Sequence, residues 1–200
     1  CKSTHIFLSD KIYFRFYLKK VLFPMINNPI INAIVQRRSV KSYLPTQIKD
    51  EELDTVLVAG TYAPTGMNKQ SPQIVAIQDA NIIKSLSSMN AAVMGNFPGD
   101  PFYGAPTVVV VFGNPEVRTW LEDASLVAGN MLNAAHAIGL GGCWIHRAKE
   151  VFATPEGQVM MRQWGVPEHF VGVANIVLGY QDQPAKPRIA RRDDYIIKIK

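Results

Sequence analysis

The chain has 200 residues, 48% of them apolar and 18% charged, which suffices for one α/β domain with a real core and falls short of two. A formal net charge of +5 gathers in three places, the amino-terminal segment, 37–41 and 186–192, a pattern of local anion sites and not the continuous basic stripe of a nucleic-acid binder. The two cysteines, Cys1 and Cys143, form no CxxC and join no Cys/His cluster at ligand spacing, which excludes a disulfide framework and a structural zinc and points to a reducing cytoplasm.

No apolar stretch approaches the ~20 residues of a membrane span, so no membrane segment is expected. The chain opens on Cys1 and runs through a basic aromatic stretch, residues 12–20, before reaching Met25. Residues 1–24 read best as an upstream or added extension ahead of a natural start at Met25. A lipid-modified cysteine, or a basic helix lying on a membrane or a partner subunit, are the other readings. Residues 25–200 then form one domain.

Asn28-Pro29 starts the first helix, since asparagine caps free amides and proline suits the first turn; Ile30, Ile31, Ile34 and Val35 give it an apolar stripe that ends near Arg37. Asp50 leads a second helix through Leu53, Val56, Leu57 and Val58, which must stop before Pro64 and Gly66. Residues 63–72 are therefore an amide-rich loop. A strand over 74–77, a helix over 81–89 capped by Asp79, and a long Gly/Pro-rich connection over 90–106 follow.

The β-branched run 107–112 predicts a strand buried on both faces, and 116–138 a long helix with Leu121, Leu126, Met131, Leu132 and Ala135 as its apolar positions. Gly139 ends that helix. A short strand over 143–146, a helix from Thr154-Pro155 through Met161 and Trp164, a core strand over 170–178 and an edge strand over 196–199, expected to add to the sheet of a partner subunit, complete the chain. This helix-led order with few strands predicts an α+β fold of three layers, α/β/α, around a mixed, mainly antiparallel central sheet.

There is no GxxxxGK, HExxH or GxSxG. The group Gly139-Leu140-Gly141-Gly142 follows a helix and opens a strand, the reverse of a dinucleotide loop, so Gly141 and Gly142 mark close approach of backbone to a neighbour. Three separated clusters together suit a ligand with a phosphate, a polyol and a flat heteroaromatic ring. Arg37, Arg38, Ser39 and Lys41 offer guanidinium forks, a hydroxyl and an ammonium to a phosphate, although a solvated helix end would use the same residues. The loop with Pro64, Asn68 and Gln70 offers amides to a ring with alternating donors and acceptors, or is ordinary turn chemistry. Trp144, Ile145, His146 and Arg147 could line the ring with backbone, with Lys186 and Arg188 as a second phosphate clamp. His136 reads as a packed interior histidine and Cys143 as a small buried residue.

From about Asn28 to its end the sequence resembles the nitroreductase family of flavoproteins. The resemblance rests on Arg37-Arg38-Ser39 with Lys41, the Pro64, Asn68 and Gln70 loop, Phe102-Tyr103-Gly104-Ala105-Pro106 before a strand, the 134–141 helix end leading into Cys143-Trp144-Ile145, and Leu178-Gly179-Tyr180 followed by Lys186-Pro187-Arg188. It implies FMN bound at a homodimer interface, NADH or NADPH as reductant, and a small electron acceptor such as a nitroaromatic, quinone or flavin, in ping-pong order. Reductive dehalogenation, ring oxidation, or flavin binding without turnover are the alternatives. By position, Arg37, Arg38, Ser39, Lys41, Lys186 and Arg188 would hold phosphate and ribityl groups. Pro64, Asn68 and Gln70 would meet the ring, and the backbone of 144–147 would lie beside it with an amide near N5. No side chain is assigned as catalytic, no metal is expected, and selectivity is expected in the 90–106 connection. Ser71 before Pro72 and the extra Arg191 and Arg192 depart from the family pattern.

Overall fold

In the computed structural model, residues 25–184 and 187–199 are described. The expectations for residues 1–24 and for Lys186 lie outside them. The chain divides into two units, residues 32–185 and residues 1–31 with 186–200.

The larger unit is built on a four-stranded sheet in the order β1-β2-β4-β3, from β1 (Gln73–Ile77), β2 (Thr107–Gly113), β3 (Gly141–Ile145) and β4 (Val171–Gly179). Every ladder is antiparallel. Among the described residues, parallel pairing enters as an isolated bridge from Ser39 to Gly142 at the outer edge of β3. All seven residues of β2 are buried, as its unbroken apolar run predicts for a strand covered on both faces. Its alternation divides the core. Val108, Val110 and Phe112 join one cluster, and Val109 and Val111 the other.

Helix α1 (Pro29–Gln36) comes first in the chain, and α2 (Asp50–Thr61), α3 (Ala80–Val93), α4 (Trp120–Ala137), α5 (Ala148–Phe152) and α6 (Pro155–Gln163) supply the outer layers of the larger unit. Leu86 of α3, Val151 and Phe152 of α5 and Met161 of α6 cover one sheet face; Leu53 and Val56 of α2 and the long side of α4 cover the other. This is the expected three-layer α+β arrangement. Each fully buried aliphatic side chain contributes roughly 1.5–3 kcal/mol, so the two clusters supply the main driving force.

Local chemistry explains the element ends. Asp79 caps α3 by accepting from Asn81 and Ile82 at 2.9 and 3.0 Å, and the Thr154 hydroxyl accepts from Gly157 at 3.0 Å ahead of Pro155 at the start of α6. Gly139 follows α4 with φ +89°, the left-handed conformation that glycine adopts at little cost.

Three expectations are corrected. Helix α3 continues to Val93, because Leu86 and Asn90 carry its buried side past 89, so the connection starts at 94 and not at 90. In α4 the buried stripe is Ala124, Val127, Ala128, Met131, Leu132 and Ala135. Leu126, placed by the 3.6-residue period on the opposite face, is 46% exposed, and Leu121 in the first turn is 49% exposed. The short helix α5 lies where the sequence reading had none. Residues 196–199 pair with no strand among the described residues of their own chain, and Ile196, Ile197 and Ile199 are exposed; the expected pairing is with the sheet of a second copy, since an edge strand needs a neighbouring strand to satisfy its backbone. The apolar stripe of α1 also has no buried residue, with Ile34 48% exposed.

In the smaller unit the described tail, 187–199, carries a single 3-10 turn, Asp193–Tyr195, and an exposed ion pair of Arg192 with Asp194 at 2.7 Å. No helix among the described residues is long and apolar enough to cross a membrane.

Candidate functional site

The basic segment after α1 is drawn along the outer edge of β3. The Val40 N–H donates to the Gly142 carbonyl at 3.1 Å, and Leu44 donates to Tyr180 at 2.9 Å. The Tyr43 hydroxyl turns back to the Val40 carbonyl at 2.8 Å. A Cβ on Gly141 would lie 3.0 Å from the Val40 side chain, so glycine there permits the close approach that the sequence suggested. Arg37, Ser39 and Lys41 are thereby gathered around Cys143. Burial pushes the Cys143 thiol up, while a hydrogen bond from Ser39 and the charges of Lys41 and Arg37 pull it down. Burial also drives the Tyr43 phenol far above its ordinary value, with Cys143 and Tyr103 adding to the rise. Lys41 Nζ sits 5.5 Å from the centre of the Tyr103 ring, within cation–π range.

Arg37 is half-buried, and its Nη1 is sequestered without a hydrogen-bond partner among the described residues. A guanidinium donor withdrawn from water and left unmatched costs free energy unless an anion completes it. Arg38 is half-buried beside it, and Ser39 and Lys41 are exposed.

Strand β3 offers mainly backbone. Ile145 is 8% exposed and packs in the core, Trp144 is half-buried against the opposite cluster, and His146 and Arg147 are exposed. Arg147 adopts φ +81°, an uncommon conformation for a residue with a side chain, and its guanidinium pairs with Glu150 at 2.9 Å. From α3, the fully buried Asn90 donates through Nδ2 to the His146 carbonyl at 2.9 Å. Asn90 was absent from the sequence reading; within a run of serines, methionine and alanines, its only signal was a polar residue on the apolar side of the helix.

The amide loop is anchored elsewhere. The Gly66 N–H donates to Asp123 at 3.0 Å, and the Thr119 hydroxyl donates to the same carboxylate at 3.0 Å. A Cβ on Gly66 would lie 2.2 Å from Thr119 Oγ1, so only glycine fits. Met67, Asn68 and Gln70 all have positive φ. Gln70 Nε2 donates to Asn68 Oδ1 at 3.2 Å, and Pro64, Asn68 and Gln70 are exposed. Asp123, 3% exposed, escaped the sequence reading because an acid in the first turn of a helix reads as ordinary dipole compensation.

One chain therefore joins the first and third predicted clusters and ties the second to the far end of α4. Gly66 is bonded to the first turn of that helix, whereas Val40 packs on Gly141, just beyond its last turn. Eighteen residues of helix span about 27 Å. Arg188 belongs to the smaller unit, and Lys186 is outside the described residues. Cys143 is a buried free thiol, as expected. His136 is half-buried rather than fully interior. Among the described residues no group of three or more His, Cys, Asp or Glu could hold a metal.

Residues 34–180 match the model of the nitroreductase family, and the chain belongs to that family. A protein of Archaeoglobus fulgidus named for NADH dehydrogenase or NAD(P)H nitroreductase activity is 28% identical over 156 residues, covering 75% of this chain and 84% of its own length. The crystal structure of a nitroreductase with bound FMN from Bacteroides fragilis superposes with a TM-score of 0.78 at 26% identity, covering 86% of this chain and 99% of that one. An FMN-dependent nitroreductase of Clostridium difficile gives 0.73 at 26% identity, with 86% and 98% covered.

Proposed function

We propose that the chain is an FMN-dependent oxidoreductase that takes reducing equivalents from NADH or NADPH and passes them to a small acceptor such as a nitroaromatic, a quinone or free flavin. The observation that carries this reading is the buried Arg37 Nη1, unmatched among the described residues and set among Arg38, Ser39 and Lys41 beside the backbone of β3 in a nitroreductase-family chain. The donor set fits a phosphorylated polyol. Guanidinium groups bind phosphate through charge-assisted hydrogen bonds, and the hydroxyl and ammonium suit phosphate and ribityl oxygens. The names of the relatives support the same cofactor and reductant.

When bound, FMN supplies the redox chemistry, accepting hydride from the nicotinamide and releasing electrons to the acceptor. The chain holds the phosphate end with Arg37, Arg38, Ser39 and Lys41, borders the ring with the backbone of residues 144–147, and excludes water with its apolar shell. Two substrates that must reach one ring face visit in turn, which makes the order ping-pong. The active form is a homodimer, in which the Pro64, Asn68 and Gln70 loop of one copy meets the basic segment of the other. Support comes from the anchoring of these clusters at opposite ends of α4 and from the exposed Leu121 and Leu126 on that helix. Selectivity among acceptors rests with the 94–106 connection, which together with α3 lines a cleft of about 910 Å³ between Phe97, Asp100, Ile83 and Ser87. A cytoplasmic setting belongs to the same reading, supported by the free buried thiol of Cys143.

Purified protein is expected to be yellow, with one FMN per chain, and to oxidise NADH or NADPH steadily when a nitroaromatic is added. Colourless protein that takes up no added FMN defeats the proposal. FMN-loaded protein that turns over with none of a panel of nitroaromatics, quinones and flavins is a binding protein instead.

The exposed His146 and the buried Cys143 are the side chains nearest to a candidate acid–base role at β3. Because the chain contributes geometry and backbone there, His146→Ala and Cys143→Ser should each keep the rate of flavin reduction within roughly tenfold, about 1.4 kcal/mol of barrier. Stopped-flow bleaching on FMN-saturated protein measures this. A loss of about 10³-fold for His146→Ala would mean that a side chain moves the proton.

A further inference from the structure

The peptide joining His146 to Arg147 has a defined orientation. Its carbonyl points into the protein, where Asn90 Nδ2 donates to it at 2.9 Å. The C=O and N–H of a trans peptide point in opposite directions, and the described residues contain no cis bond, so the Arg147 N–H faces outward from the core. Among the described residues the turn's backbone hydrogen bonds use the Arg147 carbonyl, which accepts from Val151 at 2.9 Å, and not the Arg147 N–H. The positive φ of Arg147 turns the chain that follows away from the line of β3 and into the next helix, and a conformation of this kind persists only when its surroundings impose it.

Asn90 supplies that constraint at a cost. It is fully buried, and its Oδ1 has no hydrogen-bond partner among the described residues. An apolar residue would remove that stranded Oδ1 but would leave the His146 carbonyl without its described donor. The asparagine's described polar contact is the one to His146, at the end of the strand that lines the site. Asn175 on β4 makes the comparison. It is 1% exposed, pairs with Ile145, the residue before His146, and among the described residues its amide makes no hydrogen bond to the turn.

We propose that Asn90 is a positioning residue: by holding the His146 carbonyl inward, it presents the Arg147 N–H outward as a preset hydrogen-bond donor to an acceptor atom of the FMN ring. This rests on the FMN reading above. A preset donor costs no reorganisation when the ring binds or when charge on it changes, whereas a peptide free to flip would lose both alignment and affinity.

The test compares Asn90→Leu with Asn175→Leu, both FMN-saturated. Asn90→Leu should shift the visible absorption bands of bound flavin and slow its reduction by NADH at least tenfold, with the NADH dissociation constant unchanged. Asn175→Leu should leave the bands and rate as in the wild type. Equal behaviour of the two variants, or an Asn90→Leu rate within twofold of wild type, overturns the proposal. A second measurement uses the wild-type chain alone and stands if either variant fails to fold. The Arg147 amide should exchange with solvent rapidly without FMN and become protected at least tenfold when FMN is added. FMN bound with Arg147 still exchanging rapidly overturns this inference and leaves the cofactor reading intact; no FMN uptake at all overturns both.

Discussion

Arg37→Ala is expected to weaken FMN binding by about 10- to 150-fold, the equivalent of the roughly 1.5–3 kcal/mol carried by one charge-assisted contact. Arg37 is singled out from its neighbours because its Nη1 is buried and unmatched among the described residues. The same fact predicts an opposite effect on the chain without FMN. Removing a buried donor that has no acceptor relieves a desolvation penalty, so thermal unfolding of the FMN-free variant should occur no lower than in wild type, while the FMN-loaded variant melts lower. Arg37→Lys should recover part of the affinity, since it restores the charge but not the planar fork. Fluorescence titration with FMN and melting curves with and without it measure both effects. An unchanged dissociation constant together with a destabilised FMN-free chain would make Arg37 a structural residue.

If the active form is the proposed homodimer, Leu126→Glu should convert it to a monomer and raise the FMN dissociation constant more than about 100-fold, or about 2.7 kcal/mol. Leu126 projects from the face of α4 opposite the stripe that packs on the sheet, so the substitution leaves the chain's own core untouched. A carboxylate forced into an apolar interface carries an uncompensated desolvation penalty of several kcal/mol, which exceeds what a dimer contact can absorb at one position. Because the basic segment and the amide loop are anchored at opposite ends of α4, a separated chain offers FMN one of these clusters without the other. Sedimentation velocity and FMN titration on the same preparation test the link. A Leu126→Glu dimer, or a monomer that retains FMN as tightly as wild type, would refute it.

Much of the fold was legible because its signals are local. The β-branched run of β2, the Asp79 and Thr154 caps and the Gly139 stop each act within a few residues, where period, capping and φ restriction leave little choice. The family resemblance likewise came from short segments in order along the chain. Leu121 and Leu126 were misplaced because apolarity alone does not tell a helix's core face from a face turned outward. The short α5 was missed because five residues are too few to show a period.

The sequence by itself determined the α+β class, most elements and the basic character of the Arg37–Lys41 segment. Only the tertiary structure decided that this segment lies along β3 around Cys143, that Asp123 holds the amide loop at the other end of α4, and that Asn90 grips the His146 carbonyl. These contacts join positions 57 residues apart for Gly66 and Asp123 and 56 apart for Asn90 and His146. Composition and local periodicity describe what a residue can do within its own turn or strand. Which distant backbone group it meets is set by how the layers pack, since core shape and register choose among many chemically equivalent partners.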